Sequence, residues 1–269
     1  MLIYCAGCSQ TEGSGLADAV VFPNDYPGEV DINKLDKVAW TNTRSNLLLK
    51  DPFLFERLRQ ENLKRAWPAQ LERITGHTVI NGAVGGASIQ SMAMTLVHDL
   101  ENLIHSNQIP NEVIIGTTSI ERIPLLNLYP ISNYTTLAFK NVMPSFLSNI
   151  EKRYARYCEE YWTSHADEEM LTFYLYHCVM MKNYVISKIG KPPIFVKTVL
   201  TYDWEKIVNN SNVFLLKEYW NLLNFKDLIQ EKSIGEFAVP HNIVLPDGHF
   251  KEDAHIKFAE YVAEAHLNA

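Results

Sequence analysis

Apolar positions along the chain fall into two rhythms. Short, nearly uninterrupted apolar runs occur at Leu2 to Ala6, Thr78 to Ile80, Glu112 to Ile115 and Ile194 to Leu200, with a weaker one near Phe237 to Val239. Runs of this length, bounded by turn residues, read as strands buried on both faces, as in a parallel sheet covered by helices. Longer stretches with helical spacing separate them. Asp51-Pro52 joins an N-cap residue to a proline at the first helical position and predicts a helix to about Lys64. Pro68 opens a second helix, which Gly76 ends. Ser88 caps a third, with Met92, Leu96, Leu100 and Leu103 on one side. Asp167-Glu168-Glu169 opens a long helix, where negative charge suits the positive end of the dipole, and Gly190 stops it before Pro192-Pro193. A last helix from Glu252-Asp253 turns Phe258, Ala259, Val262 and Ala263 inward. Strands alternating with helices imply crossover connections, hence an α/β fold around a mainly parallel sheet.

No internal repeat, low-complexity tract or linker-like run interrupts this pattern, so one domain over residues 1–269 is expected. Helical and aromatic insertions are expected at about 17–66 and 123–165. The second is rich in rings: Tyr129, Tyr134, Phe139, Phe146, Tyr154, Tyr157, Tyr161 and Trp162. It reads as an added helical layer with its own core, or as a wall over a pocket.

Charge and cysteine usage narrow the classes. The formal net charge of −7 argues against a nucleic-acid partner, since backbone binding needs a basic face. No apolar run is long enough to span a bilayer, so no membrane partner is expected. The first residues show no basic segment followed by a long apolar core, which predicts a cytoplasmic protein. Cys5, Cys8, Cys158 and Cys178 do not form the dense pattern of a disulfide scaffold. Cys5 and Cys8 make a C-x-x-C, but Cys5 lies within an apolar run, a poor setting for a thiolate. A zinc site would need two further ligands at suitable spacing. His255 on the last helix reads as a structural partner. Neither a metal nor a cofactor is expected.

Open α/β sheets bind ligands beyond the carboxyl ends of their strands. Three glycine-rich or polar segments fall at such ends: Gly7-Cys8-Ser9, Asn81 through Ser88, and Gly116-Thr117-Thr118-Ser119. Near the far end of the chain stands Pro246-Asp247-Gly248-His249. A hydroxyl nucleophile needs a base, and the base needs an orienting carboxylate. Ser9, His249 and Asp247 suit those roles. Unshielded N–H groups of the glycine-rich turns suit the oxyanion that forms when a carbonyl is attacked.

In this order the segments resemble the blocks of the SGNH hydrolases, the GDSL-like esterase superfamily, with a spacing from Trp67-Pro68-Ala69-Gln70-Leu71 to Asn81 similar to a subgroup met in phage genomes, which for a phage-derived chain implies a protein carried in a virion. Gly7-Cys8-Ser9 is similar to the first block, Asn81 through Gly86 to the second, and Pro246 through His249, with Ala254-His255 and Ala259, to the last. The resemblance implies a three-layer α/β/α sandwich with about five central strands. It implies catalysis by Ser9, Asp247 and His249 without metal or cofactor. The oxyanion would be held by Ser9, Gly86 and Thr118, and the substrate would be a small-molecule or carbohydrate ester, often an O-acetyl group. The chain departs from the family in three places. Cys8 stands for aspartate, Asp247 lies two residues before His249 instead of three, and Thr118 replaces the oxyanion asparagine. Glu121 and Arg122 are placed to order that third loop as an ion pair.

Overall fold

The computed structural model describes residues 1–31, 37–126, 139–142, 156, 159–162, 167–198, 203–238 and 243–267. Its main sheet has four strands among the described residues, in the order Thr78–Asn81, Leu2–Ala6, Glu112–Gly116, Ile194–Val196. All three pairings are parallel, with Tyr4 opposite Ile80 and Val113, and Ile114 opposite Ile194. Successive side chains of a strand point to opposite faces. Tyr4, Ala6, Val113 and Ile115 therefore meet one helical layer, made chiefly by Ile89–His105, Asp167–Ile189, Trp204–Asn210 and Phe214–Leu223. Ile3, Cys5, Ile114 and Val196 meet the other, made by Trp67–Thr75, Ile234–Ala238 and Glu252–Val262. The result is a three-layer α/β/α arrangement. Cys5, Cys8 and Cys178 are free and buried, and burial pushes the Cys5 thiol well above its ordinary range. Cys158 lies outside the described residues.

Local signals explain the element boundaries. Asp51 accepts the Phe53 N–H at 3.0 Å and starts the helix Pro52–Leu63. Ser88 accepts the Ser91 N–H at 3.3 Å, and Gly76 ends its helix at φ +67°. Two expectations fail. Phe237 belongs to the helix Ile234–Ala238 and not to a strand. Ser233 and Glu236 form the reason: the Glu236 carboxylate accepts both the N–H and the hydroxyl of Ser233, at 2.6 and 2.8 Å, which closes a helix start. Phe237 then packs on Phe258 and Tyr261. Val239 lies outside the described residues. The Ile194 strand ends early, at Val196, because Thr198 turns to Thr117: its N–H donates to Thr117 Oγ1 at 3.0 Å and its hydroxyl to the Thr117 carbonyl.

The described residues between 17 and 63 build a satellite core. The helices Asp18–Val21, Lys37–Lys50 and Pro52–Leu63 enclose Ala17, Val21, Phe22, Trp40 and Leu58. Phe22 and Tyr26 meet the Trp40 ring edge-on. A two-residue antiparallel ladder, Val30 with Val244 and Asp31 with Ile243, pins this annex to the chain just before Asp247. Most of the expected aromatic segment lies outside the described residues. Of its rings, Tyr161 and Trp162 pack against the main core, and the Trp162 indole N–H donates to the Glu121 carbonyl at 2.9 Å.

Candidate active site

Ser9 is the first residue of a four-residue helix, Ser9–Glu12, directly beyond the central strand. The turn is set by Gly7 and Gly116, which clasp Thr11: a methyl at either glycine would fall 2.1 or 2.5 Å from Thr11 Oγ1. The Asn81 side chain locks the same helix to the neighbouring strand, donating to the Thr11 carbonyl at 2.8 Å and accepting the Ala83 N–H at 3.1 Å. The Val84 N–H donates to the Gly7 carbonyl at 3.2 Å, so the glycine-rich loop lies along the Ser9 turn. Gly85 faces the Glu12 carboxylate so closely that a methyl there would displace it, and Gly86 sits at φ +75°. Neither the Ser9 nor the Gly86 N–H donates to a protein group among the described residues.

Asp247 and His249 come together. After the strand Ile243–Val244 the chain turns tightly: the Gly248 N–H reaches the Leu245 carbonyl at 2.8 Å, with Gly248 at φ +84°. Asp247 Oδ1 accepts the His249 backbone N–H at 3.1 Å. His249 Nδ1 lies 2.9 Å from Asp247 Oδ2. That contact is close, but the ring nitrogen is not aligned as a linear hydrogen-bond donor to the carboxylate. The two-residue spacing thus serves: one carboxylate oxygen fixes the backbone of His249 while the other faces its ring.

The carboxylate has two further neighbours that the sequence does not announce. Arg44 Nη1 lies 2.9 Å from Asp247 Oδ2 and 3.1 Å from Asp18 Oδ2. Trp40, one turn earlier on the same helix face, donates its indole N–H to Asp18 Oδ2 at 2.6 Å. Gly15, at φ +87°, backs onto Asp247: a methyl there would fall 2.6 Å from Oδ2. Burial works to push the Asp247 carboxyl up, but His249, its own turn and Arg44 outweigh it and hold the group well below the usual carboxylate range. Asp18 goes the other way, raised by burial despite Arg44 and Trp40.

Thr118 is deeply buried and its one hydroxyl proton is committed. It donates to the Ala87 carbonyl at 2.9 Å, and its oxygen accepts from Arg122 Nη1 at 3.0 Å. Arg122 donates to the same Ala87 carbonyl at 2.9 Å. Arg122 therefore orders the third loop by clamping Thr118 to the second, and Glu121 accepts from the Ser119 hydroxyl at 3.3 Å. His255 acts as a strut: its Nδ1 accepts the Trp67 N–H at 3.2 Å, and burial, helped by His249, pushes the ring down to about 3. No cluster of three or more metal-ligating side chains occurs among the described residues, and no described helix is long and apolar enough to cross a membrane.

Fold and geometry together define an open parallel α/β protein with a carboxylate–imidazole pair, Asp247 and His249, whose carboxylate lies against Gly15, a few residues along the chain from Ser9. No family model and no curated protein sequence matches the chain. Solved structures similar to it include a G-D-S-L family lipolytic protein from Desulfitobacterium hafniense DCB-2, 13% identical, at a TM-score of 0.41 over 98% of each chain. A carbohydrate esterase with catalytic and non-catalytic binding functions in its active site is 13% identical, with a TM-score of 0.45 over 99% of this chain and 68% of that one. An acetyl xylan esterase from the rumen bacterium Butyrivibrio proteoclasticus is 8% identical, with a TM-score of 0.47 over 98% and 64%.

Proposed function

We propose that the protein hydrolyses an ester through an acyl-enzyme on Ser9. The observation that carries this reading is the close Asp247–His249 contact, seated on Gly15 only a short step along the chain from the Ser9 turn. In the proposed cycle His249 Nε2 takes the Ser9 proton as Oγ attacks the carbonyl carbon. Asp247 stabilises the imidazolium that forms. The oxyanion rests on the backbone N–H groups of Ser9 and Gly86. Collapse expels the alcohol, which receives the proton from His249, and water then releases the acid by the reverse sequence. In this scheme Thr118 supports the oxyanion loop and does not donate to it, because its proton is held by Ala87. The substrate class we favour, from the resemblance in the sequence blocks, is an O-acyl group on a carbohydrate, O-acetyl above all.

The same Thr118 geometry favours a second reading. Removing one oxyanion donor typically costs on the order of 100- to 1,000-fold in rate. A chain with two donors in place of three suits a slow or highly specialised enzyme, or a binding or particle protein that keeps the scaffold.

Labelling with a fluorophosphonate, beside p-nitrophenyl acetate and butyrate hydrolysis, tests the proposal. The wild type is expected to label and to turn over, and Ser9→Ala and His249→Ala are expected to lose both. Labelling that persists in Ser9→Ala would overturn the assignment of the nucleophile. A wild type inert to probe and esters alike would favour the binding protein.

A further inference from the structure

We propose that Arg44 is a positioning residue for the Asp247–His249 pair, its guanidinium shared between Asp18 and Asp247 so that it fixes the carboxylate and limits how strongly that carboxylate holds a proton on His249. The inference rests on the proposed role of the pair in catalysis.

The geometry is a row of alternating charge. Trp40 Nε1 donates to Asp18, Arg44 lies between Asp18 and Asp247, and Asp247 faces His249. Both carboxylate side chains are almost wholly shielded from water, and the Arg44 side chain is about a fifth exposed. Asp247 Oδ2, the oxygen nearest the His249 ring, is the one that Arg44 contacts. A carboxylate held only by histidine would direct its full charge at the imidazole. One that also faces a guanidinium directs less, and a base must give up its proton as readily as it takes it. Asp18 sets the opposite bias, since it draws Arg44 away from Asp247 and adds negative charge nearby.

Other titratable groups face this row. Tyr26, from the annex, lies within electrostatic reach of Asp18, Glu29 and Asp247. Lys251 pairs with Glu29 at 2.8 Å, and His255 approaches His249 from the last helix. None of them touches the Asp247 carboxylate. Arg44 alone among these neighbours both contacts that carboxylate and carries a permanent charge.

The test compares wild type with Asp18→Asn, the double variant Asp18→Asn/Arg44→Gln, and Arg44→Lys. The double variant spares the fold a buried, unpaired Asp18. The His249 ring is followed by NMR in histidine-labelled protein, and kcat/KM for p-nitrophenyl acetate is followed against pH. Asp18→Asn is expected to move the ring titration and the acid limb to lower pH. Adding Arg44→Gln is expected to move both back up, by ~1 pH unit relative to Asp18→Asn. Arg44→Lys keeps the charge and is expected to stay within a few tenths of the wild type. Coincident midpoints in all four proteins, or the same displacement in both Asp18 variants, would overturn the proposal; lost turnover alone would mark Arg44 as merely structural. Because the ring titration needs no turnover, an inert wild type would sink the esterase reading while leaving Arg44's electrostatic role to the NMR result.

Discussion

A methyl group on residue 15 would fall 2.6 Å from one oxygen of Asp247 and 2.8 Å from the other. Gly15 also holds φ +87°, where a side chain costs about 1 kcal/mol in backbone energy alone. Gly15→Ala is therefore expected to lower stability by about 1–2 kcal/mol, read by thermal melting. It is also expected to slow fluorophosphonate labelling, because the carboxylate must shift off its seat. Unchanged labelling would show that Asp247 has freedom the close packing does not suggest. The residue scale is also where the sequence speaks least. Ser9, Asp247 and His249 can be picked out as candidates because each sits in a short turn with a recognisable neighbour. Arg44 cannot, since its partner at Asp247 is far off along the chain and its helix gives no local sign of it. The fate of the Thr118 hydroxyl is equally hidden: only folding brings the Ala87 carbonyl to it.

A helix delivers Arg44 to Asp247. The helix Lys37–Lys50 carries Trp40 and Arg44 on one face, and its Trp40 packs into the satellite core. Leu58→Ala, in the facing helix Pro52–Leu63, removes a buried side chain from that core and is expected to cost about 2–4 kcal/mol. Hydrogen exchange should show the loss concentrated in residues 37–63, with the strands still protected. Labelling of Ser9 should slow in parallel, since Arg44 would no longer be held. Loss spread evenly over the sheet would mean that the annex and the sheet unfold as one unit. Elements with local signals were legible in sequence: the capped helices start where Asp51 and Ser88 stand, and the strand at Leu2 runs to Ala6 as its apolar run does. Phe237 was misleading because apolar runs of three residues fit a strand or a helix, and the Ser233–Glu236 pair decides between them. The annex was legible as a region out of rhythm with the sheet, but not as the support of the site.

For the whole molecule, pH is the revealing variable. His255 joins the helices Trp67–Thr75 and Glu252–Val262 while neutral and buried. Its folded-state value is near 3, against an ordinary value of 6.5. Between those values the unfolded chain binds the extra proton. The stability tied to the neutral ring is thus complete above about pH 6.5 and declines as pH falls toward 3, by on the order of 4–5 kcal/mol in all. Asp247, depressed instead, adds stability that is retained until lower pH still. Denaturant melts from pH 8 to 4 should show wild-type stability falling from about pH 6.5. His255→Gln keeps an acceptor for Trp67 and does not titrate, so its decline should begin only in the carboxylate range. Superimposable pH curves for the two proteins would remove His255 from the account.

The parts of the candidate site lie far apart in the sequence. Gly15 backs onto Asp247, and Val30 pairs with Val244, so distant segments must meet before the Asp247–His249 pair has a seat. On a ribosome, the turn bearing Ser9 is made long before Pro246 through His249, so a nascent chain carries that serine with no imidazole beside it. In the proposed enzyme, reactivity is switched on only after the later segment has emerged and folded back.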